Sequence, residues 1–210
     1  MIRVVMADDH TILREGLKQI LSAAEGIEVV GEATDGHEVL QHVRNTDCDV
    51  LLLDLSMPGR SGMELIKQVK SERPRLRILV LSMHGEQQYA VRAVRAGASG
   101  YLTKDSAATQ LVAAIRKVAA GGAFISAEVA EQLALSAMPR AEGPPHAALS
   151  DREYEVFRLL VAGRTVTDIA EKLTLSVKTV STHKARLMEK MGMATQADLI
   201  RYAIAHGLAD

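Results

Sequence analysis

Five polar side chains stand at the ends of short apolar runs, where they could do chemistry together. Asp8 and Asp9 follow the run from Ile2 to Ala7. Asp54 closes Val50-Leu51-Leu52-Leu53, Ser82 ends the run from Arg77, and Lys104 comes just after Gly100-Tyr101-Leu102. A short aliphatic run bounded by polar residues fits a strand buried on both faces of a parallel sheet. Open α/β sheets bind ligands at the carboxyl ends of their strands. Three carboxylates in one cleft repel each other and need a cation, and hard oxygen donors suit Mg2+. A carboxylate nucleophile beside such a cation is the arrangement for phosphoryl transfer. Asp54 is then the nucleophile. Lys104 pairs with it and later with a phosphoryl oxygen, and Ser82 offers a hydroxyl at the same edge. Singly, each residue has a plainer explanation: a turn, a helix cap, a solvated charge. Their recurrence at successive strand ends favours one shared pocket.

Such a pocket requires the strands to share a sheet. Strand-like segments at 3–7, 28–33, 50–54, 77–82 and 100–102 alternate with amphipathic segments at 11–23, 35–44, 62–72, 86–96 and 107–120. This (βα)5 pattern predicts a doubly wound α/β fold with a parallel sheet, for which the order taken is the flavodoxin-like 2-1-3-4-5. In that order the first strand neighbours the third, and the acids cluster. Asp35-x-x-Glu38 and Ser61-x-x-Glu64 read as helix-starting capping boxes. His10 reads as a loop or helix-start residue near the pocket, and Cys48 as a buried packing residue.

After Gly121-Gly122 the alternation stops. A helix is expected at 126–135. The stretch from Ala137 to His146, rich in Pro, Gly and small residues, reads as a linker that is not a packed element. From Leu149 onward only helix signals remain, opened by Ser150-x-x-Glu153, Thr165-x-x-Asp168, Ser176 and Thr195-x-x-Asp198. The expected organisation is a first domain over 1–121, a linker with one helix over 122–146, and a small all-α four-helix domain over 147–210. The two glycines are a weaker candidate boundary.

Within the second domain, helix, tight turn and helix follow one another around Thr174-Leu175-Ser176. On the last of these helices Val180, Leu187 and Met191 form one apolar stripe. Lys178, Lys184, Arg186 and Lys190 face one acid, Glu189, in a chain whose net charge is −1. The basic patch is therefore local. Small and polar residues beside cations suit a helix that enters the DNA major groove, and cations can hold phosphates. The plainer reading is a solvated, charged helix.

Two resemblances bear on these readings. Asp8-Asp9, Asp54 with Met57-Pro58-Gly59, Ser82, Gly97-Ala98-x-Gly100-Tyr101 and Lys104 resemble the receiver domain of bacterial two-component response regulators. Leu149-Ser-Asp-Arg-Glu153, Ile169-Ala170 and Leu175-Ser-Val-Lys-Thr-Val-Ser-Thr-His183 with Lys190-Met191 look like the LuxR-type helix-turn-helix of the NarL/FixJ family. The resemblance implies a transcription factor switched when a sensor histidine kinase phosphorylates Asp54. It implies Mg2+ held by Asp8, Asp9, Asp54 and the backbone carbonyl of Ser56, with Ser82 and Tyr101 as a switch pair. It implies double-stranded DNA as a partner and a homodimer on activation. Resemblance and helix face together make Ser181, Thr182 and Ala185 base-edge readers, and place Lys178, Thr179, Lys184 and Arg186 on phosphates. Many receivers follow the lysine with proline; Asp105 stands there instead, so no cis-proline is expected at that bond.

Composition narrows the classes. One cysteine excludes an internal disulfide or a cysteine-based zinc cage. No stretch approaches a membrane span and no signal-peptide pattern opens the chain, so a cytoplasmic protein without a membrane partner is expected. Two rivals remain: a DNA-binding regulator whose receiver never takes phosphate, and a Mg2+-dependent phosphohydrolase with Asp54 as nucleophile. The second needs a substrate pocket and a further acid/base that the sequence does not offer, so the chain is not expected to be an enzyme.

Overall fold

The expected alternation of strand and helix is realised as one parallel sheet covered on both faces. The computed structural model describes residues 1–57, 62–83, 87–136 and 144–209. Strands β1 (Ile2–Ala7), β2 (Ile27–Ala33), β3 (Val50–Asp54), β4 (Arg77–Ser82) and β5 (Gly100–Thr103) form a sheet in the order β2-β1-β3-β4-β5. Between and after them run α1 (Thr11–Ser22), α2 (Gly36–Asn45), α3 (Gly62–Glu72), α4 (Gln87–Ala96), α5 (Lys104–Ala119) and α6 (Ala127–Ser136). All five residues of β3 are buried, as expected for a central strand with helices above and below it.

Side chains alternate across a strand with period two. Val4, Met6, Val50, Leu52, Leu79, Leu81 and Leu102 accordingly pack with α1 and α5 in one cluster. The other face meets α2, α3 and α4, which pack side by side. By the same alternation Ser82 and Tyr101 share that second face, and both are buried. Cys48 is buried too.

Local chemistry sets the helix starts. Asp35 accepts the N–H groups of His37 and Glu38 at 2.7 and 2.9 Å. Glu38 reaches the N–H of Thr34 instead of its own cap residue, so the expected box closes one residue early. The expected start of α5 at Ala107 is corrected to Lys104. Thr103 takes the extended cap position, with its Oγ1 2.5 Å from the Ser106 hydroxyl. Asp105 then lies in the first turn, where the helix dipole favours an acid. The peptide bond after Lys104 is trans.

The two glycines prove to be a turn. Gly121 has φ +91°. Its N–H donates to the Val118 carbonyl at 2.9 Å, and the Gly122 N–H donates to that of Lys117 at 3.0 Å. This pair of bonds ends a helix and reverses the chain. Phe124 is thereby brought beside Gly100 as an isolated parallel bridge.

The chain divides into two compact units, Met1–Leu135 and Ser136–Asp210. The proposed box at Ser61, the residues Pro58-Gly59, the start of a helix at Glu86 and most of the linker lie outside the described residues. The expectation that nothing packs as far as His146 is corrected at its end. Pro145–Ala148 forms a 3-10 turn in which His146 is buried. Its Nδ1 lies 2.6 Å from the Tyr202 hydroxyl. The second unit continues with α7 (Asp151–Val161), α8 (Val166–Leu173), α9 (Val177–Met191) and α10 (Gln196–Ala205). Capping boxes close at Ser150, Thr165 and Thr195, and Ser176 caps α9 through the Thr179 N–H. Among the described residues, no helix is long and apolar enough to cross a membrane.

Candidate phosphoacceptor pocket and nucleic-acid interface

Parallel pairing sets the pocket. Ala7 pairs with Leu53 and Asp54 with Leu81. Ser82 pairs with Thr103, the residue before Lys104. The ends of β1, β3, β4 and β5 therefore lie on one edge. There the Lys104 ammonium sits 2.7 Å from Asp54 Oδ2 and 2.8 Å from Asp8 Oδ2. All three side chains are almost out of water, with Asp8 0%, Asp54 1% and Lys104 8% exposed. The Ser56 N–H donates to Asp54 Oδ1 at 2.9 Å, and the His10 N–H to Asp8 Oδ1 at 2.8 Å. Asp9 stands outside, exposed to solvent.

The electrostatics of this trio follow from its count of charges. Burial raises the Asp54 carboxyl above its ordinary range, although Lys104 and the Ser56 N–H pull it down. Burial also works against the Lys104 ammonium, but hydrogen bonds to Asp54 and Asp8 outweigh it and raise its pKa. The two directions agree once the trio is taken whole. Two carboxylates share one ammonium, so the cation is held charged while the surplus negative charge is hard to keep.

Ligand atoms of Asp8, Asp9, His10 and Asp54 all lie within 4.8 Å of one another. His10 is the residue that sequence reasoning placed near the pocket without a role. Its Nδ1 lies 2.9 Å from Asp9 Oδ1. Adjacency to the acid pair was the only signal for it. Of the remaining candidates, Ser82 and Tyr101 are buried on the sheet face shared with α4. Ser56, half-buried, follows β3.

In the second unit, α8, a short turn and α9 form the expected helix-turn-helix. Thr174 turns the chain in the left-handed region at φ 53°. Leu175 N–H then donates to the Ala170 carbonyl at 2.8 Å. Val180, Leu187 and Met191 are buried, so the apolar stripe faces the bundle as read. Lys178, Ser181, Thr182, Ala185 and Arg186 are exposed. Thr179 and Lys184 are half-buried. Thr179 donates its N–H to Ser176 Oγ at 3.0 Å, and Lys184 Nζ reaches Gln196 Oε1 at 3.4 Å. The basic patch is also smaller than four residues. Lys190 Nζ lies 2.6 Å from Glu153 Oε2, a buried carboxylate. Burial opposes the charge of Glu153, but Lys190 and the Ser150 N–H hold its carboxyl below the usual range. Lys190 thus ties α9 to α7 while itself exposed, and Lys178 and Arg186 are exposed on the same helix.

Known proteins match both units. Residues 4–116 match the family described as "Response regulator receiver domain". Residues 147–203 match "Bacterial regulatory proteins, luxR family". The response regulator UvrY of Escherichia coli K12 is 37% identical over 211 residues, covering 100% of this chain and 97% of that protein. The response regulator GacA of Pseudomonas viridiflava is 37% identical over 211 residues, covering 100% and 99%. A structure of RcsB from Salmonella typhimurium, 32% identical, covers 100% of this chain and 98% of that one with a TM-score of 0.77. RcsB bound to promoter P1flhDC in the presence of phosphomimetic BeF3- is 33% identical, covering 96% and 97%, with a TM-score of 0.71.

Proposed function

The chain belongs to the NarL/FixJ-type response regulators, two-component transcription regulators that join a receiver to a LuxR-type DNA-binding domain, and on that premise we propose that phosphorylation of Asp54 governs its grip on DNA. The phosphodonor is the phosphohistidine of a sensor kinase. A carboxylate oxygen of Asp54 attacks phosphorus, the phosphorus–nitrogen bond breaks, and the imidazole leaves with a proton from solvent. The observation that carries this reading is the buried trio of Asp8, Asp54 and Lys104 at one sheet edge.

A divalent cation fits the residues present. Their donors are hard oxygens, and the buried trio has negative charge to spare. Asp8, Asp9, Asp54 and the Ser56 carbonyl would hold Mg2+, which when bound neutralises charge on the phosphoryl oxygens. Lys104 then exchanges its contact with Asp54 for one with a phosphoryl oxygen. Ser82 turns its hydroxyl toward the same group, and Tyr101 shifts its ring on the shared face.

Output belongs to the second unit, with DNA recognition assigned to residues 147–210 and phosphoacceptance to 1–121. Ser181, Thr182 and Ala185 read base edges from α9. Lys178, Thr179, Lys184 and Arg186 hold phosphates, with Lys178 and Arg186 the best exposed. A homodimer would read two half-sites related by two-fold symmetry. A protein that meets both a kinase's phosphohistidine and DNA works in the cytoplasm. Incubation with a small phosphodonor and Mg2+ tests the reading. One acid-labile phosphoryl group is expected per chain, and equal incorporation by Asp54→Asn would refute the site.

A further inference from the structure

Gly100 stands in the Gly97-Ala98-x-Gly100-Tyr101 motif, yet the pocket chemistry does not explain it. Nor does its backbone, which lies outside the left-handed region where Gly97 falls. The reason is a close approach. A Cβ on Gly100 would come 2.9 Å from the Phe124 carbonyl oxygen, 3.1 Å from Phe124 Cβ and 2.8 Å from Leu79 Cδ1. The first of these is backbone and cannot swing aside. The segment 122–126 therefore lies across β5 as a strap, and only glycine admits it.

The strap is bonded on both sides of Gly100. Tyr101 N–H donates to the Phe124 carbonyl at 2.8 Å, and Phe124 N–H donates to the Ser99 carbonyl at 3.1 Å. Phe124 also packs against the core cluster. Beside it Tyr101, Ala90, Ile125, Ser126 and Val129 line a 330 Å³ cavity. Ser126 Oγ then accepts the Val129 N–H at 3.3 Å and so opens α6. That helix ends at Ser136, where the second compact unit begins.

We propose that the Phe124 strap reads the position of Tyr101 and passes it to the start of α6, with Gly100 and Phe124 as positioning residues. The inference rests on the proposed roles of Asp54 and Tyr101. A ring that moves on the shared sheet face changes the wall of the cavity that Ile125, Ser126 and Val129 complete. The same residue's amide is tied to the strap, so the ring and the strap meet at one residue. A strap that only covered a sheet edge would be indifferent to phosphorylation.

Amide hydrogen exchange on the full chain tests this, with acetyl phosphate and Mg2+ added or withheld. Phosphorylation should change exchange at Tyr101 and across 124–130 by about fivefold or more. Unchanged exchange there, with a phosphoryl group shown on Asp54, overturns the proposal while leaving the function intact. Absence of any phosphoryl group refutes the functional reading, and the strap then has no signal to carry. Gly100→Ala should still take the phosphoryl group, speed Tyr101 exchange in the unphosphorylated chain, and shrink the response across 124–130 to within about twofold. A variant that keeps the full response overturns the proposal.

Discussion

At the carboxyl edge of the sheet, Asp8, Asp54 and Lys104 hold their charges almost out of water. On α9, Lys178 and Arg186 hold theirs in it. Buried charges interact strongly and are costly to unbalance, whereas exposed ones are screened within about 8–10 Å at ordinary salt. Under the proposed function one region is a switch, in which a single added charge must be answered by neighbours, and the other is a reader, in which many weak contacts sum along the DNA backbone.

That contrast can be broken at several points. Asp54→Asn should lower phosphoryl incorporation to background, a loss of about four orders of magnitude, read by mass spectrometry after incubation with a phosphodonor. Lys104→Met leaves two buried carboxylates without their cation. It should cost about 3–5 kcal/mol in urea unfolding at neutral pH, and added Mg2+ should recover part of that loss. An unchanged midpoint would show that the trio is not a coupled buried unit.

The pH dependence sharpens the same point. Burial raises the Asp54 carboxyl above the ordinary 3.8 of an aspartate, so the unfolded chain ionises it first. Its contribution to stability is full below that value and is lost as pH rises through the higher folded one. Asp54→Asn should therefore melt above the wild type at neutral pH, and calorimetry should see that gain shrink in acid. Lys104 works the other way in an alkaline window. Its stabilisation is whole below 10.5 and is lost only as pH climbs through its raised folded value.

Smaller effects belong to the second unit. Ser150→Ala opens the box that starts α7 and should cost about 1 kcal/mol in thermal unfolding. Lys178→Ala should weaken binding to any DNA sequence and reduce the slope of log affinity against log salt by about one. A slope left unchanged would remove Lys178 from the backbone contacts.

Legibility in the sequence follows the same divide between local and distant. The helix boxes at Ser150, Thr165 and Thr195 involve residues three apart, and all three closed as read. The crossover rule left few sheet orders, of which the flavodoxin-like one is realised, and the strand ends that carry Asp8, Asp54, Ser82 and Lys104 were legible from apolar runs. The start of α5 was not, because Lys104-Asp105-Ser106 carries no apolar periodicity. His146 looked like linker because prolines precede it, and its partner Tyr202 lies far along the chain. The same distance hid the ion pair that ties Lys190 to Glu153. Phe124 was invisible for the same reason, since its bonding to β5 depends on a turn and on a missing side chain at Gly100.

The caps on α7 to α10 have a consequence for how the chain is made. Each is complete once a few neighbouring residues have formed, so the helix starts depend on contacts close in sequence, the kind that fold fastest. The parallel sheet cannot form that way, because β1 must wait for β3, and β3 for β4. Synthesis runs in the helpful direction. Residues 136–210 take about 4–15 s to make at about 5–20 residues per second, an interval in which the sheet can pair before the helical unit is complete.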